Sequence, residues 1–173
     1  MVDYLVMESY LKYFRYMALA GIFIVPFIVL FVSSSLFFPF ITGKNFAFRL
    51  ITEIILGCWA VLAIYDKKYR PNKSAVLYFA GAFVLATAIS TAVGVNPYRS
   101  FWSSYERMEG LVTFLHWLAY MVALSGILKT EKLWKSFLNT EIAASVLISF
   151  YGLLQIWGLK ATHQGVRLDA TLG

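Results

Sequence analysis

Cysteine is almost missing from this sequence: Cys58 is alone, and it sits inside an apolar run. An intrachain disulfide and a cysteine-built metal cluster are both excluded, and the expected role of Cys58 is that of a small packing residue. Charge is scarce as well, at 14% of residues against 60% hydrophobic and 18% aromatic, with a mean hydropathy of +0.71. A water-soluble domain needs a denser polar surface than that, so the composition points to a polytopic membrane protein. Also missing are a Gly-rich phosphate loop, an HExxH pair, a Ser-His-Asp set and a CxxC pattern, which leaves soluble hydrolase, nucleotide-binding and zinc functions without support. No cofactor or metal is called for. The net charge of +6 is read as the mark of cytoplasmic loops and not of nucleic-acid binding.

What is present is a series of long apolar runs. The expected fold is all-α, a transmembrane helical bundle of about five spans over residues 17–38, 46–65, 75–95, 111–128 and 142–159, forming one membrane domain. Asp3 and Glu8 precede the first run, which is longer than a signal-peptide core and has no convincing small-residue cleavage site, so it reads as a retained span. Before it, residues 4–16 alternate aromatics with Glu8, Lys12 and Arg15, the pattern of a short interfacial helix. Pro26 is expected to kink the first span. In the second, Arg49 and Glu53 are four apart on one helical face and are expected to form a structural ion pair at the membrane edge. The third span carries no charge and is relatively rich in Ala, Gly and Thr, which permits close helix packing.

Two short basic loops, residues 66–74 and 129–135, set the expected orientation. Counted with Lys12 and Arg15 they place nine positive residues on one side against six on the other, out of fifteen. The positive-inside rule then puts the amino terminus in the cytoplasm and residues 96–110 and the carboxyl terminus outside, in the plasma membrane.

Between spans three and four lies the one concentrated island of charge and aromatics, Asn96 to Gly110, N-P-Y-R-S-F-W-S-S-Y-E-R-M-E-G. Asn96-Pro97 ends the preceding span, because a residue before proline is pushed away from helical angles. Phe101, Tyr105 and Met108 recur at i, i+4 and i+7, which predicts a short amphipathic interfacial helix. Two readings of its charges stand side by side. Arg99 and Arg107 can offer planar guanidinium groups to the phosphate or diphosphate of an anionic lipid headgroup, with Glu106 and Glu109 orienting them or meeting a sugar hydroxyl. Alternatively the charges pair among themselves and with ordinary phospholipid. His116, a turn and a half into span four, reads first as a hydrogen-bonded packing histidine, and His163 as a solvated residue of a polar tail that also holds Lys160, Gln164, Arg167 and Asp169.

From Asn96 onward the sequence resembles a family. N-P-Y-R-S-F-W-S-S-Y-E-R-M-E-G-L-V-T-F-L-H (96–116), the basic loop with Trp134-Lys135, Y-G-L-L-Q (151–155) and R-L-D-A-T-L-G (167–173) together look like the amino-terminal part of bacterial O-antigen ligase and polymerase-like proteins; the first ninety-five residues are similar only in hydropathy. The resemblance implies a polytopic protein of roughly a dozen spans that transfers a glycan from an undecaprenyl diphosphate carrier to an acceptor outside the membrane. It implies that Arg99, Arg107 and Arg167 share in binding the diphosphate, stabilising its departure by fixed positive charge. The histidine on which such enzymes depend lies in a large, late outer loop, to which neither His116 nor His163 corresponds. The sequence closes at Gly173 soon after the fifth expected span, so the expectation is an amino-terminal portion, inactive by itself. A transporter or flippase half and a non-catalytic membrane scaffold are the competing expectations.

Overall fold

The chain is all-α. A computed structural model describes residues 2–31 (side chains from Met7), 41–104 and 108–157; the tail with His163 and Arg167, and Tyr105, Glu106 and Arg107, lie outside the described residues. Among the described residues six α-helices follow in order: α1 Val2–Ile24, α2 Thr42–Tyr65, α3 Ala75–Val93, α4 Pro97–Trp102, α5 Leu111–Ile127 and α6 Glu131–Ile156. Four stretches among the described residues, Met7–Leu30, Thr42–Tyr65, Ala75–Val93 and Glu131–Ile156, are long and apolar enough to cross a membrane. The fifth expected span corresponds to α5, which at 17 residues is about 25 Å long and stands at the short limit for crossing. The outer surface is itself apolar, with Phe79, Val93 and Ile156 each at least three-quarters exposed. In water such a surface would be prohibitive, whereas against lipid tails it costs nothing, so the chain is a multi-pass membrane protein.

Several boundaries differ from the sequence reading, each for a local reason. Residues 4–16 do not form a separate interfacial helix. They belong to α1, which continues unbroken into the first span, and Glu8 and Lys12 pair at 3.4 Å on its exposed face. Pro26 does not kink an α-helix; the α-helical path stops at Ile24, and the proline stands at the start of a tighter 3-10 turn, Val25–Leu30, where its missing N–H leaves no gap. The second basic loop shrinks to Leu128–Thr130. Thr130 caps α6 by accepting a hydrogen bond from the Leu133 amide at 3.3 Å, Glu131 stands in the first turn, and Glu131 pairs with Lys135 at 2.7 Å. Cap, dipole and i,i+4 pair together make residues 131–135 helical.

The core lies where α1, α2 and α5 meet. Ala18, Ile22, Ile55, Cys58, Ala123, Leu124, Ile127 and Leu128 are buried together, and Phe137 of α6 closes the cluster, its ring set edge-on to Phe23 at 6.2 Å. Cys58 is therefore a packing residue, 5% exposed. Gly126 lets α5 approach the turn after α2, because a β-carbon there would strike the Trp59 indole, which donates to the Tyr69 carbonyl at 3.0 Å. Lys129 reaches the same turn and donates to the Arg70 carbonyl at 2.6 Å and to Asn72 Oδ1 at 3.0 Å. Lys12 and Arg15 of α1 border a hollow with Asp66, Lys68 and Tyr69. One end of the bundle thus gathers the basic loops and the basic part of α1, and α4 occupies the other end.

Candidate functional site

At the α4 end, residues of α2, α4 and α5 line a cleft of about 810 Å³. Three stretches build it. Asn96 caps α4, accepting from the Arg99 amide at 3.0 Å, and Pro97 fits the first turn that follows. The helix lasts only six residues, because Ser103 takes a left-handed conformation (φ 68°) while its amide closes the last turn on the Arg99 carbonyl at 2.7 Å. The chain then folds back so that Gly110 rests on the backbone of Phe101 and Ser103, leaving no room for a β-carbon. The short helix expected between the third and fourth spans is therefore present as α4, but it stops before Ser103, so Phe101 and Met108 do not share one helical stripe; Tyr105 lies outside the described residues. Ser103 has left the helical path, and Met108 is also left-handed at φ 51°.

The polar wall comes from α2 and α5. Arg49 and Glu53 do not pair with each other as their spacing suggests; each reaches across to α5 or to the loop before it. Arg49 Nη2 donates to the Met108 carbonyl and to Thr113 Oγ1, both at 2.7 Å, and the Thr113 hydroxyl in turn donates to the Met108 carbonyl at 2.6 Å. Glu53 Oε1 lies 3.2 Å from His116 Nε2, and His116 Nδ1 lies 2.7 Å from the Val112 carbonyl. The reason is geometric: side chains four apart on α2 face two positions three apart on α5, so the Met108 carbonyl and Thr113 hydroxyl take Arg49, and the His116 ring takes Glu53, in place of the neighbour on the same helix. Hydrogen bonds made by a charged donor contribute about 1.5–3 kcal/mol each, comparable with the ~2.5–3.5 kcal/mol that a guanidinium costs within a membrane span. Arg49 Nε and Thr52 Oγ1 remain buried without a hydrogen-bond partner.

The other walls are apolar and aromatic: Phe46 and Leu50 from α2, Tyr98, Phe101 and Trp102 from α4, and Leu115 from α5. Arg49 and the amino-terminal end of α5 stand together, so a guanidinium and the positive end of a helix dipole bear on the same space. Chemically the cleft suits an amphiphile with an anionic or hydroxyl-rich head and a hydrocarbon body.

The residues singled out in the sequence are divided by this arrangement. Arg49 and Glu53 line the cleft; Arg99 is exposed on α4, does not line it, and its guanidinium meets no partner among the described residues; Glu109 is exposed at the foot of the loop. Glu106, Arg107 and Arg167 fall outside the described residues. His116, read as a packing histidine, lines the cleft beside Glu53, and Thr113 had not been singled out at all. The available signal was the recurrence of polar residues at the same depth on two apolar runs, Arg49 and Glu53 on one and Thr113 and His116 on the other. No protein family, curated protein or solved structure matches the chain.

Proposed function

We propose that this chain is the amino-terminal membrane part of a protein that transfers glycans from an undecaprenyl diphosphate carrier at the outer face of the plasma membrane, in the manner of O-antigen ligases and polymerases. The observation that carries the reading is the cleft between α2, α4 and α5, which sets Arg49 and the start of α5 against an apolar and aromatic wall. A polyprenyl diphosphate has that same division between a doubly charged head and a hydrocarbon chain. The clustering of the basic loops at the opposite end favours an orientation in which the cleft opens outward. Arg99, exposed at the rim on α4, and Arg107 and Arg167, on the likeness of the sequence to that family, are the further cations assigned to the diphosphate, with Glu106 and Glu109 orienting them. Their function is to hold the departing diphosphate by fixed charge.

In the complete gene product, replacing Arg99 and Arg107 together by alanine is expected to reduce glycan transfer at least tenfold while membrane levels of the protein stay unchanged. Losing one charge-assisted contact to a phosphate costs about 1.5–3 kcal/mol, and 1.4 kcal/mol corresponds to a factor of ten. Undiminished transfer by the double variant would remove the arginines from the reaction.

A further inference from the structure

The basic end of the bundle holds a hollow of its own, about 450 Å³ in volume, between the early turns of α1 and the turn that follows α2. That is the size of an ordinary ligand pocket. Its charged walls are Glu8, Lys12 and Arg15 on one side and Asp66 and Lys68 on the other. Both carboxylates are already engaged. Glu8 pairs with Lys12 at 3.4 Å, and Asp66 accepts from Lys68 twice, from the amide at 3.0 Å and from Nζ at 2.6 Å. Lys68 is held further by its position over the Tyr69 ring, 4.9 Å from the centroid. Arg15 has no such engagement: its guanidinium makes no hydrogen bond or ion pair among the described residues. Its N–H donors are free for an external acceptor, and each lysine keeps donors that its carboxylate does not occupy.

We infer that this hollow binds the phosphate of an anionic phospholipid headgroup, in the leaflet on the basic side of the protein, with Arg15 as the principal contact and Lys12 and Lys68 completing the cationic set. The depth of the hollow favours a lipid over a soluble phosphate. Arg15 is the last charged residue before the apolar run that opens at Met17, and Asp66 follows directly on the end of α2, so two spans leave the hydrocarbon layer where the hollow lies. Lipid phosphates occupy that level. Tyr13 and Tyr16 of α1 and Tyr65 of α2 are exposed there, as aromatic residues are at the boundary between acyl chains and headgroups. A planar guanidinium meets two phosphate oxygens at once, which an ammonium does not, and basic pockets between transmembrane helices are where anionic headgroups settle. The hollow stands at the opposite end of the bundle from the cleft beside α4 and does not depend on what that cleft binds.

The test is lipid binding by the whole chain in detergent, read by native mass spectrometry as phosphatidylglycerol or phosphatidylcholine is titrated in. Phosphatidylglycerol is expected to be retained preferentially, and to stay bound in excess glycerol phosphate, which carries the phosphate without the acyl chains. Arg15→Gln is expected to lower the affinity for phosphatidylglycerol about fivefold, the share of one cation beside an anionic lipid. Lys132→Gln, which removes an equal charge from the start of α6 outside the hollow, should leave that affinity unchanged. Equal retention of the two lipids by the unsubstituted chain would overturn the assignment, and that result does not depend on how any variant folds. Equal affinities in the two variants would overturn it too, because the charge of the whole end, and not the hollow, would then select the lipid. Displacement by glycerol phosphate would overturn the lipid as the source of the phosphate.

Discussion

Arg49 shows how a charge is kept inside an apolar bundle. Its Nη2 is shared between the Met108 carbonyl and the Thr113 hydroxyl, so one guanidinium ties α2 to the start of α5 and to the loop that leads into it. Two threonines near it have opposite roles. Thr113 both donates and accepts, whereas Thr52 is 1% exposed and its hydroxyl has no partner. Thr113→Val is therefore expected to destabilise the bundle by about 1–3 kcal/mol, because it leaves a buried guanidinium donor and the Met108 carbonyl short of a partner. Thr52→Val, which exchanges a lone buried hydroxyl for a methyl of the same shape, should be neutral or stabilising by up to ~1 kcal/mol. Thermal or denaturant unfolding of the two variants in detergent checks the contrast. Equal destabilisation by both would mean that the hydrogen-bond pattern at Arg49 is not as described.

At the scale of elements, the cleft depends on how abruptly α4 ends. Its six residues are capped by Asn96, stopped at Ser103, and covered by Gly110, whose backbone lies against the Phe101 carbonyl. A methyl group at position 110 would meet backbone atoms, which cannot rotate away, so Gly110→Ala is expected to cost about 1–3 kcal/mol and to push α4 off the start of α5. Fluorescence of Trp102, which lines the cleft, should report the shift; unchanged emission and an unchanged unfolding midpoint would contradict this packing. These features also mark where sequence reading reached its limit. The aromatic stripe at 101, 105 and 108 has helical spacing, but spacing does not show that a serine turns left-handed at 103 to satisfy a closer contact made by a glycine seven residues later. The boundary of α6 was hidden for a different reason. Lys129 to Lys135 reads as a charged loop by composition, and only the Thr130 cap with the Glu131–Lys135 pair makes its second half helical.

For the whole molecule, hydropathy was a sufficient guide to the all-α architecture and to where most of the long apolar helices lie, because a bilayer selects apolar length directly and the helices must satisfy their own backbone groups. Which spans touch, and with which faces, was not legible. Arg49 meets residues 59 and 64 positions away, and a charge four residues along its own helix looked the simpler partner. The cleft that results lies at the end opposite the basic loops, and it joins an amphiphile-shaped space to the charged and aromatic stretch that follows Asn96. The claim that this space receives a polyprenyl diphosphate is tested most directly by photolabelling. Membranes containing the chain would be irradiated with a photoactivatable polyprenyl diphosphate, and the labelled residues mapped by mass spectrometry. Labelling is expected to concentrate at residues 46–53 and 98–116 and to fall when unlabelled undecaprenyl diphosphate is added. Labelling spread evenly over the lipid-facing surfaces of α3 and α6, and unmoved by the competitor, would contradict the account.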